Sequence, residues 1–306
     1  MNNKLKESFQ RREKPLGIFC GLNSPTAIEC LGRTGLDFVI IDCEHSPAEA
    51  ETAEALIRAA ELASLTPLCR VRELSRSAVL KLLDVGARGL IVPNIHTVDE
   101  VLRLVDYAKY APIGQRGFCP TRKDGWGFDV ERTTAETMAV MNEATLLLPQ
   151  CETVGSLEHI EEIVALEGVD GIFIGPFDLS IALGLPGQFD HPAVQNAFLR
   201  IREACRAVGK PCLFFTTSPD GVAQGFADGY DAMVLGIDTL LLIGGVRELL
   251  GKGALWETAL FSRGVWPAAQ TLPGGFIITA LLAAFWQYLS AAVKRLLFIG
   301  GREEDD

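Results

Sequence analysis

Four short stretches of this 306-residue chain carry side chains suited to chemistry, and each follows an apolar run. They are Asp42-Cys43-Glu44-His45, Arg70 at the end of TPLCR, Gln150-Cys151-Glu152, and Gly175-Pro176-Phe177-Asp178. Glu152 and Asp178 follow consecutive runs. Neighbouring parallel strands lie about 4.8 Å apart, so carboxylates on two adjacent strand ends can share one divalent cation. Hard oxygen ligands with an incomplete shell suit Mg²⁺ or Mn²⁺, which keep waters or take substrate oxygens. The competing reading makes each carboxylate a helix cap: Asp178 precedes LSIALG, and Thr153 and Ser156 precede another helical stretch.

His45 can serve as a general base near neutral pH, oriented by a nearby carboxylate, or it can be a packed or solvent-facing histidine. Arg70 should point into a barrel mouth, where a buried guanidinium needs an anionic or carbonyl partner. That partner is either a developing enolate or a structural acid. The Gly-Pro turn of IGPFDLS leads toward a helix, whose free N–H groups form a natural carboxylate site. His96, His159 and His191 are weaker candidates; His159 falls on a helix and His191 in a loop before Pro192, and both read as structural.

These side chains need elements to position them. The β-branched and apolar runs predict eight strands: Gly17–Leu22, Phe38–Cys43, Pro67–Val71, Gly89–Val92, Thr145–Cys151, Gly171–Gly175, Pro211–Phe215 and Asp231–Gly236. SRSAVLKLLDVGA and TVDEVLRLVDYAKYA repeat apolar residues at helical spacing, and SLEHIEEIVALEG has a serine start and a glycine stop. Strands alternating with helices imply parallel strands joined by crossovers. Eight such units in about 250 residues match a (β/α)₈ TIM barrel, in which chemistry sits at the C-terminal strand ends. The rival, an open doubly wound sheet, lacks a GxGxxG after its first strand.

The formal net charge of −11 argues against a nucleic-acid binder, which needs a basic face. Residues 257–306 hold four basic and five acidic side chains, so about −10 belongs to the barrel. The eight cysteines show no CxxC pair and no zinc spacing, and several sit in apolar runs. They read as reduced thiols of a cytoplasmic protein. The polar N-terminus lacks the apolar core of a secretory signal.

Taken together, FVIIDCEHSP, PLCRVRE, LLDVGARGLIVPNIHTVDEV, QRGFCPTR, PQCETVGSLEHI and GVDGIFIGPFDLSIALG resemble the HpcH/HpaI aldolase family, the metal-dependent class II pyruvate aldolases. The resemblance runs in order over roughly residues 5 to 250. It implies a homo-oligomer, often a hexamer with exchanged C-terminal helices. It implies retro-aldol cleavage of 4-hydroxy-2-oxo acids to pyruvate and an aldehyde. By that resemblance Glu152 and Asp178 are the ligands of a divalent metal (Mg²⁺ or Mn²⁺, with Co²⁺ a third candidate), and His45 is the base, acting through metal-held water. Asp84 pairs with His45, and Arg70 holds the enolate oxygen. Gln150 and Asp42 are supporting polar groups, and the amides of Gly175 and Phe177 receive the pyruvate carboxylate. No Schiff-base lysine stands out: Lys81, Lys109 and Lys123 fall in helical or loop patterns. Phe177 departs from the small residue usual before the Asp, and it narrows the pocket. The RGFCPTRKDGWG loop reads either as a cover over the site, with Arg122 and Lys123 meeting a second carboxylate, or as a solvated surface loop.

Two functions compete with the aldolase: a related enolate lyase, such as an oxaloacetate decarboxylase or acyl-CoA lyase, and a non-catalytic scaffold of the same fold. The domain reading is a barrel over residues 1–256 and a hydrophobic, helical tail over 257–306. Phe276–Val293 is 18 residues long and almost wholly apolar, at the lower limit for a membrane span. Its positive flank, Lys294 and Arg295, lies on the side away from the barrel. Burial in an oligomer is the preferred reading of this tail over a membrane segment.

Overall fold

Eight parallel strands close on themselves in chain order, with the first paired to the last. This computed structural model describes residues 3–128 and 131–251. The strands are β1 (Leu16–Cys20), β2 (Phe38–Asp42), β3 (Thr66–Arg70), β4 (Gly89–Val92), β5 (Leu146–Cys151), β6 (Ile172–Ile174), β7 (Cys212–Thr216) and β8 (Ala232–Ile237). The helices before β5 are α1 (Lys4–Gln10), α2 (Pro25–Leu31), α3 (Ala50–Leu62), α4 (Arg76–Asp84), α5 (Val98–Ala108) and α6 (Thr134–Ala144). After it come α7 (Val154–Glu158), α8 (Ile160–Ala165), α9 (Pro176–Ala182), α10 (Pro192–Ala207), α11 (Pro219–Asp228) and α12 (Asp238–Gly251). The architecture is the (β/α)₈ barrel expected, and each observed strand lies within one or two residues of its predicted bounds. The tail at 257–306, the span Phe276–Val293 and the boundary at 256 lie outside the described residues.

Strands covered on both faces must be apolar on both, and all five residues of β2 and of β3 are buried. Successive side chains alternate between the barrel interior and the helix layer. Phe38, Ile40, Leu68, Ile91, Leu146, Leu148, Phe173, Leu213 and Val234 fill the interior. Val39, Ile41, Cys69, Leu90 and Leu147 belong instead to the larger cluster that includes helix residues such as Leu56, Ile57 and Leu104. The period-two rule then sets the rim: one step beyond Ile40 is Asp42, beyond Leu68 is Arg70, and beyond Leu148 is Gln150. At the opposite mouth Leu5 of α1, 1% exposed, joins the interior cluster.

One helix differs from expectation. Thr153, not Ser156, is the N-cap of α7, and its hydroxyl accepts from the Ser156 amide. The stretch also breaks at His159 (φ −105°, ψ 18°) into α7 and α8. Thr153 sits directly after the strand-end Glu152, so the turn into the helix begins three residues before the serine. All eight cysteines are free thiols. Among the described residues no helix is long and apolar enough to cross a membrane.

Candidate active site

Asp42 and Arg70 are direct partners in the β2–β3 register. Arg70 Nε and Nη2 donate to the two Asp42 carboxylate oxygens at 2.9 and 2.7 Å, a planar fork on a planar carboxylate. Its Nη1 lies 3.2 Å from Glu44 Oε2, and the guanidinium covers the Phe19 ring at 4.7 Å. Burial alone would raise the Asp42 carboxyl, but Arg70 and the amides of Glu44 and His45 hold it below its ordinary value. The structural-acid reading of Arg70 is therefore realised. Three of its five N–H groups are committed, which leaves two for another oxygen.

Glu152 follows β5 and is 7% exposed. Its Oε1 accepts from the Asn94 amide at 2.6 Å, and its Oε2 meets Gln150 Nε2. Burial pushes its carboxyl up to about 7, with the nearby charges of Asp178 and Glu44 adding to the rise and the Asn94 amide opposing it. Burial also raises Glu44, against the pull of Arg70. Asp178 stands in the first turn of α9, whose N-cap is Gly175. Three carboxylates thus repel one another around one cleft. Gln150 adds a buried side-chain oxygen without a hydrogen-bond partner.

Gly175 is needed for space. A Cβ there would lie 2.5 Å from Glu152 Oε2 and 2.7 Å from Gln150 Nε2. Its amide donates to the Cys151 carbonyl at 3.3 Å, so it is engaged by the barrel, contrary to the role expected for it. Phe177 lies in the first turn of α9, where amides have no intrahelical partner. The residue is 47% exposed, and its ring meets Phe189 edge-on at 4.8 Å. Gly175→Ala is expected to displace Glu152 and lower kcat/KM by about 10²-fold, while the thermal midpoint falls only slightly; steady-state kinetics beside a melting curve checks both.

His45 lies on the rim, its side chain 66% exposed, with Nε2 3.6 Å from Glu44 Oε2. Asp84 does not pair with it within the chain. Asp84 instead holds Arg116 at 2.8 Å and Lys123 at 3.3 Å, because it ends α4, on the outer layer of the barrel. The RGFCPTRKDGWG loop does not bring its cations to this chain's own site, and it is only partly solvated: Gly117, Cys119, Pro120, Trp126 and Gly127 are exposed, while Lys123 and Asp124 are buried. Arg122 pairs with Glu61 of α3, and Lys123 is bound to Asp84 and the Cys119 carbonyl. Both cations are committed to α3 and α4. Lys109 is 2% exposed and bound to Asp170 and the carbonyls of Asn142 and Thr145, remote from the rim. Cys43 and Cys69 pack in the outer core, and burial pushes the Cys43 thiol up to about 12.

Two cavities adjoin at His45 and Asp178. The larger, about 670 Å³, is lined by Glu44, Glu152, Arg72, Asn94, His96 and Glu100 among others. The other, about 290 Å³, is walled by Phe19, Phe173, Phe177 and Phe215, with Arg70 and Gln150 at its polar end. Asn94 was not foreseen, whereas His96, a weaker candidate in the sequence, and Arg72, close to Arg70 in the chain, do line the larger cavity. Asn94 stands two residues past the end of β4, a rim position open to the same strand-end argument. His159 and His191 have local roles: His159 marks the helix break, and His191 Nδ1 accepts from the Ala193 amide in capping α10.

Among the described residues no three His, Cys, Asp or Glu side chains are gathered to surround an ion. The donors present nevertheless fit one that keeps waters or takes substrate oxygens. Glu152 is buried beside two like charges, and the nearby cation, Arg70, is occupied by Asp42 and Glu44. A divalent ion between Glu152 and Asp178 would relieve that repulsion.

A closed parallel barrel with acids, an arginine and an amide on its C-terminal rim is the layout of a barrel enzyme. The chain belongs to the HpcH/HpaI aldolase/citrate lyase family, whose model it matches over residues 15–244. It is 32% identical over 243 residues to the 2-keto-3-deoxy-L-rhamnonate aldolase of Shigella sonnei, covering 79% of this chain and 89% of that one. Such aldolases are carbon–carbon lyases. Among solved structures it is similar to an HpcH/HpaI aldolase/citrate lyase family protein from Burkholderia cenocepacia (TM-score 0.75, 29% identity, 81% of this chain and 98% of that one). It is also similar to the citrate synthase SbnG (TM-score 0.73, 31% identity, 80% of this chain and 95% of that one).

Proposed function

We propose that this chain is a divalent-metal-dependent aldolase that cleaves, or forms, 4-hydroxy-2-oxo acids by way of a pyruvate enolate. The observation that carries the reading is the meeting of Glu152, Asp178, Arg70 and His45 where the two cavities adjoin. Glu152 and Asp178 would hold Mg²⁺, Mn²⁺ or Co²⁺; when bound, the ion supplies Lewis-acid stabilisation of enolate charge. The uncommitted N–H groups of Arg70 donate to the enolate oxygen, and Gln150 adds an amide donor. The Phe177 amide receives the carboxylate. His45 takes the proton of the 4-hydroxyl as the C3–C4 bond breaks. The bond's electron pair enters the enolate, the aldehyde leaves, and protonation at C3 gives pyruvate. His45 is exposed enough to exchange that proton with solvent.

Asp42 holds Arg70 in place. Asp84, on the outer face of α4, orients Arg116 and Lys123 in this chain, and a role toward His45 would have to come from another copy. The family resemblance supports a homo-oligomer, a hexamer in its common form, acting in the cytoplasm on small molecules. The barrel over 1–256 and the tail over 257–306 belong to the same reading.

Pyruvate release from a panel of 4-hydroxy-2-oxo acids, differing in hydroxylation of the aldehyde part, tests the activity. The polar cavity favours hydroxylated aldehydes over alkyl ones. The likeness to a citrate synthase supports a second reading, condensation of an enolate with a 2-oxo acid. Citrate formed without any pyruvate release would favour that second reading.

Metal affinity should depend on pH in a defined sense. A carboxyl raised to about 7 keeps its proton in the folded protein between its ordinary value and 7, and a metal must displace that proton. Affinity for Mn²⁺ is expected to fall about tenfold per pH unit below 7 and to level off above it. Calorimetric titration between pH 5.5 and 8.5 reads this directly. An affinity unchanged across that range would contradict it.

A further inference from the structure

The far end of the barrel holds a second large cavity, of about 790 Å³, at the N-terminal strand ends. Leu146, which opens β5, Pro211 before β7 and Asp231 before β8 all line it. None of its lining residues lines either cavity of the rim. Its charged lining comprises Lys6, Arg12, Lys14, Arg202, Arg206 and Lys210 against three acids, Glu13, Asp170 and Asp231. The cavity is therefore positive in a chain whose formal net charge is −11.

The pairing inside the cavity sharpens this. Glu13 is taken by Arg11 at 2.7 Å, and Asp170 is shared by Lys6 and Lys109, each at 2.8 Å. Arg206 is paired with Glu203 at 2.9 Å. Among the described residues Arg12, Lys14, Arg202 and Lys210 make no salt bridge. Lys14 spends one N–H on the Tyr230 carbonyl. Lys210 spends two, on the carbonyls of Val164 and Leu166, and burial lowers its pKa. Arg202 is held over the Tyr230 ring at 5.2 Å, and its buried Nε has no hydrogen-bond partner. A buried guanidinium N–H left unpaired is costly unless something fills the position. Arg202 and Arg206 stand one turn apart on α10, so both forks face the same neighbourhood.

We infer that this cavity at the N-terminal face is a binding site for a small molecule carrying two or more linked phosphate groups. Asp231, the third acid, makes no salt bridge among the described residues and accepts from the Cys212 amide at 2.9 Å, so four cations face one free acid, and a single carboxylate would satisfy only part of the excess. Linked phosphates offer many acceptor oxygens to two guanidinium forks and two ammonium groups. The volume is of the size that takes a nucleotide-sized ligand. The chemistry is shared by inorganic polyphosphate and by the phosphate chain of a nucleoside triphosphate.

Calorimetric titration of the full chain tests this, with chelator present so that no metal draws phosphate to the rim. The probes are tripolyphosphate and adenosine triphosphate, in about 150 mM salt, where diffuse attraction is largely screened. Saturable binding at one site per chain is expected. Lys14→Gln/Arg202→Gln should weaken it by about tenfold or more, while Arg202→Lys retains part of it. Retained metal-dependent exchange of pyruvate protons by the double variant shows that the barrel is folded. Asp178→Asn, on the opposite rim, should leave phosphate binding unchanged. Equal affinities for the two probes mean that the phosphate chain alone is read; tighter nucleotide binding means that the nucleoside adds contacts, and both support the site. No saturable binding, binding by the double variant within about twofold of wild type, or loss of binding in Asp178→Asn overturns the inference.

Discussion

Glu152→Gln is expected to cost nearly all activity and almost no stability. Glutamine keeps the size of the side chain and can still accept from the Asn94 amide, but it carries no charge to hold a cation. The Lewis-acid contribution of a divalent ion is several kcal/mol, so kcat/KM should fall by about 10³-fold or more. Stability moves the other way. The folded-state pKa of Glu152 is raised to about 7, so between its ordinary value and 7 the folded state binds more protons than the unfolded one. Stability of the metal-free protein therefore falls as pH rises through that window. Removing the titrating group removes that penalty. Metal-free Glu152→Gln should melt at or above the wild-type temperature at pH 8, and added Mn²⁺ should no longer raise it. More than about a tenth of wild-type activity in this variant, at saturating metal, would count against Glu152 as a ligand.

Arg70→Met is expected to damage both activity and fold. The guanidinium and Asp42 form a buried bidentate pair, with side-chain exposures of 11% and 9%. Removing one partner of such a pair leaves an uncompensated charge, a loss of about 3 kcal/mol. The enolate would also lose its donor, about 10²-fold or more in kcat. Arg70→Lys keeps the charge without the fork and should fall between. The acid limb of stability should change in a matching way. The Asp42 carboxyl is held below its ordinary value, so its contribution is present above that value and is lost as pH falls through the folded one. In Arg70→Met that contribution disappears, and the dependence of unfolding free energy on pH between about 5 and 3 should flatten. Urea titrations at several pH values measure it. An unchanged acid limb would mean that Asp42 owes its low pKa to backbone amides alone.

The strand positions were legible because a parallel strand covered on both faces has to be an apolar run, and each run here ends in turn-forming or charged residues. FVIID, TPLCR and LLLPQC declare themselves this way. The rim was legible for the same reason: period two carries the interior stripe of Phe38 and Ile40 to Asp42, and that of Leu68 to Arg70. Contacts made by loops and helix ends were not. Asp84 and Lys123 are 39 positions apart in sequence, and only the packing of the loop on α4 joins them. No local pattern separates a helix residue that faces solvent from one that meets a returning loop. Gly175 shows a subtler case. Its Gly-Pro turn suggested a free amide, whereas the amide completes a bond to Cys151 and the missing Cβ makes room for Glu152. Asn94 was open to the strand-end argument, yet its contact with Glu152 is made by its backbone amide, a role that side-chain chemistry does not signal.

In the proposed reaction Glu152 and Asp178 hold a divalent ion that stabilises a pyruvate enolate. Exchange of the pyruvate methyl protons in D₂O, followed by proton NMR, reads enolate formation without any aldehyde. Wild-type protein stripped of metal should exchange no faster than buffer, and Mn²⁺ or Mg²⁺ should restore exchange, with Glu152→Gln and Asp178→Asn silent under both conditions. Exchange that persists in chelator at the wild-type rate, or that survives loss of both carboxylates, would mean that Glu152 and Asp178 hold no ion needed for enolate formation.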